Sequence, residues 1–334
     1  MGEGLEIAKV LVSPIEKLID ATKSGAGILY QPKHLRRMTD AKVYEIDQIS
    51  DVLRKNSDVL VSYNDGSVIA NIPEWDEFVN RTRHRLICQE LRNQQNIEAV
   101  VDNAYSELQN ETTVTEEPVD ADWIARLFSI VKDVSNEEMQ FVWGKILAGE
   151  IKHPKSFSFR TLETIRNMSQ KEAEIFQRLM PLIVRSSGAM FITSKNDLLI
   201  KYGTSYGDIM LLDECGLINS SGTVSLNPEV SNNDEFFLYN NKKIALVKGL
   251  SEKNVKISFG IHLLTRAGRE LYGILASDVN NDIIEDIAKD IFDHNKNSVE
   301  VNIHKVNFII GEQINYDDIP ILHFGKVNKS LVET

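Results

Sequence analysis

Two runs of basic side chains are the best candidates for chemistry in this sequence. The first follows a glycine break, and the second stands near the start of a long predicted helix. Both lie in a region whose other charges are mostly acidic, and such contrast can mark a binding patch. The sequence therefore predicts a contact surface made of Lys33, Arg36, Arg37, Arg81, Arg83 and Arg85.

An ordinary surface role is the competing interpretation of the second run. Asp76, Glu77 and Glu90 lie close by in the sequence. Carboxylates three or four residues from an arginine on a helix form exposed ion pairs that contribute little to stability. Both interpretations stay open at this point.

No catalytic or metal-binding motif can be assembled from the sequence. The glycine cluster Ser24–Gly27 lacks the third glycine and the preceding strand of a nucleotide-binding motif. The seven histidines include no HxH or HExxH pair, and Cys88 and Cys215 have no nearby partner. We therefore expect no catalytic residue, no metal and no cofactor. An enzyme whose residues gather only in three dimensions is an open alternative.

Four acidic residues near the C-terminus could gather carboxylates on one helix face. Asp282, Glu285, Asp286 and Asp290 recur at helical spacing. A solvated acidic face is the more ordinary interpretation of such a run, and a metal or acid–base site is the alternative. Cys215 likewise fits a core position better than a nucleophile.

The charge balance limits the classes of partner. Lysine and arginine number 37 against 49 acidic residues, a net charge of -12, which opposes non-specific binding to nucleic acid or anionic membrane. No apolar run reaches the roughly 18 residues of a membrane-spanning helix, and two distant cysteines favour reduced thiols, so we expect a cytoplasmic protein. An apolar stripe over residues 5–19 predicts core, with peripheral membrane contact as the alternative.

Hydrophobic spacing and turn residues indicate the elements that position these groups. Asn64-Asp65-Gly66 joins two apolar runs as a hairpin would, and one long helix is predicted from Trp75 to Asn110. Ser135 with Glu138 and Ser169 with Glu172 fit capping boxes, and Gly149 predicts a helix end. A Thr/Glu/Pro segment at residues 111–118 predicts a linker.

Residues after 190 change their periodicity. A helix ending at Cys215-Gly216, extended runs at 235–239, 244–247 and 255–259, and a helix start at Leu264-Thr265 follow the order of a winged helix. We expect a mainly α protein with a smaller α+β part, in which a helical central domain precedes a winged-helix-like domain and a strand-containing tail. The predicted divisions are 1–112, helical with a short hairpin; 120–190, central helical; 191–276, winged-helix-like; and 277–334, acidic helix and strand tail.

The central helices resemble those of a known bacterial family. The run from Val134 to Leu162, followed by Asn167–Phe176, is similar to proteins of the domain-of-unknown-function family 2806. More remotely, the same order of parts resembles the abortive-infection alpha family, which is linked to phage resistance. Neither resemblance implies a catalytic residue, and both imply a bacterial setting.

These observations favour a non-enzymatic bacterial interaction protein, a sensor or scaffold in anti-phage defence. Its expected partner is another protein or a second copy of the chain, since long helices offer large self-complementary surfaces. Nucleic-acid binding through the winged-helix-like domain is the alternative, and the net charge disfavours it.

Overall fold

The computed structural model describes residues 11–27, 60–64, 67–71, 77–220, 224–275, 282–311 and 313–325. The chain divides into two compact units, Met1–Leu162 and Glu163–Thr334. The first is built around helices and the second around a large antiparallel sheet. Each unit buries its own apolar side chains.

Helices and two short strand pairs form the first unit in the described residues. The helices are α1 (Pro14–Ala26), α2 (Glu77–Leu108), α3 (Ala121–Val131), α4 (Glu137–Lys152) and α5 (Phe159–Asn167), whose last residues belong to the second unit. The strands are β1 (Leu11–Val12), β2 (Leu60–Asn64), β3 (Ser67–Asn71) and β4 (Val114–Thr115). β1 pairs with β4, and β2 with β3. The predicted hairpin and long helix are thus confirmed.

The core of the first unit forms where the second half of α2 packs along α4. Val100 and Val101 are fully buried there. Gly144 permits the close approach, because a Cβ at this position would lie 2.4 Å from Cβ of Asn103. Leu18 of α1 is also fully buried, so this part of the N-terminal apolar stripe packs inside the unit.

A lysine of α1 ties three elements of the first unit together. Nζ of Lys17 donates hydrogen bonds of 2.9 Å to the carbonyl oxygens of Thr115 and Ile151. Burial lowers the pKa of Lys17, against the opposite influence of Glu117 and Glu150. Val114 is buried as well, so the Thr/Glu/Pro segment carries a packed strand.

A buried carboxylate shapes the connection between α4 and α5. The Glu150 residue is 1% exposed, and its carboxylate accepts hydrogen bonds from the backbone N–H groups of Lys155 (2.5 Å) and Phe157 (3.0 Å). Gly149 lies inside α4, where a Cβ would come within 2.8 Å of the Phe157 ring. The predicted helix end at Gly149 is therefore wrong, because this glycine admits the aromatic ring instead of terminating the helix.

Of the two predicted capping boxes, one is confirmed and the other is displaced by one residue. Ser169 caps α6 (Gln170–Leu179), with reciprocal hydrogen bonds to and from Glu172. At the start of α4 the cap is Asn136, whose side chain accepts from the backbone N–H of Met139 at 2.9 Å. Serine and asparagine side chains can both accept a hydrogen bond from a free backbone N–H group at the start of a helix. Residue type therefore does not decide whether Ser135 or Asn136 is the cap.

The second unit adds helices on an antiparallel framework. Its further helices are a 3-10 turn (Met180–Leu182), α7 (Asn196–Lys201), α8 (Tyr206–Glu214), α9 (Arg266–Leu275) and α10 (Ile283–His294). Its strands are β5 (Val184–Ser186), β6 (Ala189–Thr193), β7 (Ile218–Asn219), β8 (Ser225–Leu226), β9 (Glu229–Val230), β10 (Glu235–Tyr239), β11 (Lys243–Gly249), β12 (Val255–Lys256), β13 (Phe259–Leu264), β14 (Val299–Ile310), β15 (Gln313–Tyr316) and β16 (Leu322–Phe324).

In the described residues, ten of these strands join one sheet. Its order is β15-β14-β11-β10-β5-β6-β13-β7, with β16 beside β14 and β8 beside β13, while β9 pairs with β12 separately. Helix α10 packs on β11 and β14 and buries Ile284, Ile287 and Ile291. The long strand β14 therefore joins the C-terminal strands β15 and β16 to β11.

The predicted fold class is wrong, because a winged-helix domain is not shown. Two of the three extended runs expected to form a small wing, 235–239 and 244–247, lie in the ten-stranded sheet, where β10 pairs with β5 and β11 pairs with β14. The third run, 255–259, begins with β12, which pairs separately with β9. Strand β14 belongs to the segment predicted as a separate tail. The strands of a wing need few neighbours, whereas β10 and β11 pair with strands that lie more than 40 residues away in the chain. The nucleic-acid alternative thereby loses the domain on which it depended.

The predicted helix after β13 does form, and its start shows why those residue types occur. Oγ1 of Thr265 donates to the carbonyl oxygen of Gly216 at 2.6 Å and accepts from the backbone N–H of Gly268 at 3.2 Å. A Cβ at Gly268 would lie 2.1 Å from the carbonyl oxygen of Leu217. Thr265 and Gly268 thus place the start of α9 against the turn that follows α8.

Candidate functional site

The predicted basic surface is described in part. Arg81, Arg83 and Arg85 lie in the first turns of α2, with Arg81 and Arg85 exposed and Arg83 half-buried. Arg81 and Arg83 take part in interactions of their own. Lys33, Arg36 and Arg37 lie outside the described residues, so whether the two runs meet stays a prediction.

The basic segment of α2 lies on the less buried half of that helix. Leu86 is 48% exposed, whereas Ala104 and Leu108, further along the helix, are fully buried. The first half of α2 therefore presents arginines beside an accessible apolar side chain. This arrangement suits a contact surface, and it equally suits a solvated helix end.

A second exposed surface lies at the far end of β14. The register of β11 on β14 ends at Lys305, and the backbone N–H of Val306 still donates to the carbonyl oxygen of Lys242. Beyond Val306, β15 is the strand beside β14 in the described residues, as far as Ile310. We call the two-stranded ribbon of residues 306–310 and 313–316 the arm. Strand β15 is the last strand of the sheet in the described part of the chain, so its outer edge has unpaired backbone groups.

The arm and the segment that follows it expose large apolar side chains. Phe308 is 54% exposed and Ile310 68%, while Ile319 and Ile321, just beyond the arm, are 80% and 51% exposed. Between them, Asp317 is fixed to the sheet, because its carbonyl oxygen lies 2.7 Å from Nδ1 of the buried His304. Exposed apolar side chains grouped in this way are typical of protein interaction sites.

Lysines neutralise the acidic face of α10. Nζ of Lys243 lies 2.8 Å from Oδ1 of Asp282 and 2.6 Å from Oε1 of Glu285. Nζ of Lys201 lies 2.5 Å from Oδ2 of Asp286. Lys195 forms a further ion pair with Asp290. We call these seven residues the lysine–carboxylate cluster.

The pKa shifts in this cluster agree with a structural role. Burial opposes the charge of Lys243, but hydrogen bonds to Asp282 and Glu285 raise its pKa overall. Burial and the hydrogen bond to Asp286 raise the pKa of Tyr202 above its ordinary value. Neutralised carboxylates that fasten a helix are poor candidates for acid–base chemistry. The solvated acidic face expected from the sequence is thus replaced by a paired one.

The remaining reactive groups do not form a catalytic arrangement in the part of the chain that is described. Burial and then Glu172 raise the pKa of the Cys215 thiol to about 12, which keeps it protonated at neutral pH. Burial lowers the pKa of His262. Among the described residues, no three histidine, cysteine or acidic side chains are grouped to hold a metal ion.

A shallow depression of about 520 Å³ lies on α8, lined by Gly207, Met210, Leu211, Asp213 and Glu214. Its carboxylate Asp213 already accepts hydrogen bonds from the hydroxyl (2.7 Å) and backbone N–H (3.2 Å) of Ser220. The depression therefore lacks a free acid or base at Asp213. No described helix is long and apolar enough to cross a membrane.

The arm is the feature that the sequence did not reveal as a site. The sequence predicts a strand over Val299–Ile310, and β14 confirms it. Apolar residues that alternate along a strand are found on buried faces and on exposed contact faces alike. The sequence therefore did not show that Phe308 and Ile310 are exposed. One signal in the sequence was the length of the run Val299–Ile310, which exceeds that of the other extended runs and is consistent with a strand that continues past its neighbours.

Comparison with known proteins gives one match. The family described as a protein of unknown function, DUF2806, matches residues 80–288. No curated protein and no solved structure matches the chain. The matched residues include the basic segment of α2 and end before β14, so the arm lies outside the part that the family shares.

Proposed function

We propose that this chain, which belongs to the DUF2806 family of proteins of unknown function, is a non-enzymatic interaction protein. In this proposal the arm binds another protein chain. The single observation that carries this function is the exposure of Phe308 and Ile310 on a ribbon that extends beyond β11. Burying a side chain of this size contributes about 1.5–3 kcal/mol, so a partner that covers both gains substantial affinity.

The shape of the arm favours recognition through strand edges. An open antiparallel edge can accept a further strand, and main-chain hydrogen bonds then supply affinity while the flanking side chains supply selectivity. Two copies of β15 related by a two-fold axis would satisfy each other in this way. A second copy is therefore one partner that fits, and a strand of another protein is the other.

A pair of matched variants tests this function. Phe308→Ser with Ile310→Ser removes the apolar surface of the arm, and Ile200→Ser, at a 60% exposed position of α7, is the control. Light scattering over a concentration series measures self-association. Photo-crosslinking from position 308 in cells, compared with position 200, identifies a different partner.

We expect either a wild-type oligomer that the arm variant alone dissociates, or a protein captured only from position 308. A monomeric wild-type chain with the same crosslinks from both positions would overturn the proposal. Circular dichroism of both variants separates loss of binding from loss of folding.

Anti-phage defence is the cellular setting that we propose for this interaction, and the resemblance to the abortive-infection alpha family supports it. A deletion strain complemented with wild-type or arm-variant protein is challenged with a broad phage panel. We expect more plaques on the deletion strain and on the arm variant than on wild type. Equal plaquing on all three strains would contradict this setting.

The basic surface predicted from the sequence is proposed as a second contact site. Arg81→Glu with Arg85→Glu reverses two exposed charges on α2. We expect the double variant to weaken partner capture more at low than at high salt, because exposed charges are screened. Unchanged capture at low salt would remove this segment from the interface.

A further inference from the structure

One half-buried arginine in the second unit has no acidic partner among the described residues, whereas several other cations of this unit are paired. Arg185 is the central residue of β5 and is half-buried. Within the described residues its guanidinium has no hydrogen bond and no ion pair, and its Nε is buried without an acceptor. By contrast, Arg178 pairs with Asp208 at 2.9 Å, and Lys243 pairs with two carboxylates.

Two tyrosines hold this guanidinium in place. Tyr239 stands directly opposite Arg185 in the pairing of β10 with β5, and its ring centre lies 6.0 Å from Cζ of the arginine. Tyr272, from α9, places its ring centre 5.2 Å away. Cation–π contacts orient a guanidinium without neutralising its charge or using its N–H donors.

The hydroxyl groups of the two tyrosines also lack protein partners in the described part of the chain. The guanidinium N–H groups of Arg185 therefore have no protein acceptor in the described residues, and the two neighbouring tyrosines each carry a further O–H donor. Because Arg185 and Tyr239 are only half-buried, solvent and small solutes can reach the group. A positively charged set of donors without an acceptor is complementary to an anion.

We infer that Arg185, Tyr239 and Tyr272 form a binding site for the anionic group of a small ligand, a carboxylate or a phosphate. The planar guanidinium fork matches two oxygens of either group, and charge-assisted hydrogen bonds of this kind are stronger than neutral ones. The inference goes beyond the proposed function, because the site lies inside the family-matched residues and uses none of the arm.

The test uses the full chain with inorganic phosphate and acetate as separate probes. Each is titrated by calorimetry at constant ionic strength, with chloride as the reference anion. Arg185→Gln removes the charge, while Tyr239→Phe and Tyr272→Phe each remove one hydroxyl and keep the ring. Arg178→Gln is the matched control, because that guanidinium is already paired.

We expect wild type and Arg178→Gln to bind one probe in preference to chloride. Arg185→Gln should bind it about tenfold more weakly or worse, the effect of losing a hydrogen bond to a charged group. Each Tyr→Phe variant should lose a smaller factor. Preference for phosphate over acetate assigns a phosphoryl ligand, and the reverse preference assigns a carboxylate.

Two results would overturn the inference. One is a wild-type chain that binds neither probe better than chloride, which would leave Arg185 as a packing residue held by its rings. The other is equal weakening in Arg178→Gln and Arg185→Gln. If Arg185→Gln does not fold, the two Tyr→Phe variants decide, since unchanged affinity in both excludes the site.

Discussion

Two carboxylate-based fastenings in this protein work in opposite ways. In the first unit, Glu150 is buried and accepts two backbone N–H groups of the α4–α5 connection. In the second unit, the lysine–carboxylate cluster fastens α10 with ion pairs in which Asp282 keeps 64% of its side chain exposed. Backbone N–H groups that lose a buried acceptor cannot bond water in its place. An exposed carboxylate that loses its lysine can bond water in its place. The difference predicts unequal energies and unequal sensitivity to salt.

Removal of the buried carboxylate should have the largest effect. Glu150→Ala leaves the N–H groups of Lys155 and Phe157 without an acceptor, and we expect the first unit to lose about 3 kcal/mol of unfolding free energy. Glu150→Gln keeps one oxygen and should lose less. Trp123 and Trp143 are buried in this unit and the sequence has no tryptophan after it, so urea unfolding followed by tryptophan fluorescence reports on it. A salt-dependent loss, or equal losses in both variants, would contradict the role of burial.

Removal of the central cation of the lysine–carboxylate cluster should cost less, because its partner Asp282 is 64% exposed, although the Lys243 side chain is only 11% exposed. Lys243→Met deprives Asp282 and Glu285 of their shared partner, and we expect α10 to open more easily by about 1 kcal/mol at low salt. The difference should shrink in high salt because ions in solution screen the exposed carboxylate of Asp282. Hydrogen exchange of the α10 amides measures this opening, with Lys253→Met, at an exposed lysine, as the control. A loss as large as that of Glu150→Ala would abolish the distinction between the two fastenings.

Glu172 is an intermediate case, because it is a half-buried carboxylate that accepts a hydrogen bond from a backbone amide. The hydrogen bond from the Ser169 backbone lowers its pKa below the ordinary 4.5. A lowered pKa in the folded state means that the carboxylate stabilises α6 above pH 4.5 and that this contribution is lost as the pH falls through the lower value. We expect Glu172→Gln to destabilise α6 by a few tenths of a kcal/mol at pH 7.

The corresponding measurement is amide exchange of α6 in wild type and Glu172→Gln between pH 3 and pH 7, corrected for intrinsic rates. The two proteins should converge at the acidic end. A difference that persists unchanged at pH 3 would show that the capping glutamate acts through its shape and not through its charge.

Caps and turns could be predicted from the sequence wherever their contacts lie within one element or between neighbouring elements. The Ser169 cap and the pairing of β2 with β3 both depend on contacts within a few residues. Gly149 shows the limit of such reasoning. A glycine near a helix end usually terminates the helix, but here it makes room for Phe157, whose position depends on the connection that Glu150 organises.

The candidate sites depended on tertiary structure to different degrees. The residue types of the basic segment were visible in the sequence, and the structure adds that Arg81 and Arg85 are exposed. Arg185 gave no signal, because its significance lies in the absence of an acidic partner and in rings that come from β10 and α9. A sequence shows which charges exist, but it does not show which of them are paired.

The sequence by itself determined the charge, the family, most of the helices and a few of the strands of this protein, because these follow from composition, motif order, caps and periodicity. Only the tertiary structure decided that β10 and β11 lie in a ten-stranded sheet and not in a wing, and that β14 extends past β11 as an arm. The physical reason is that strand pairing joins segments far apart in the chain. Periodicity shows which residues can be buried, and only the pairing of distant segments shows what buries them.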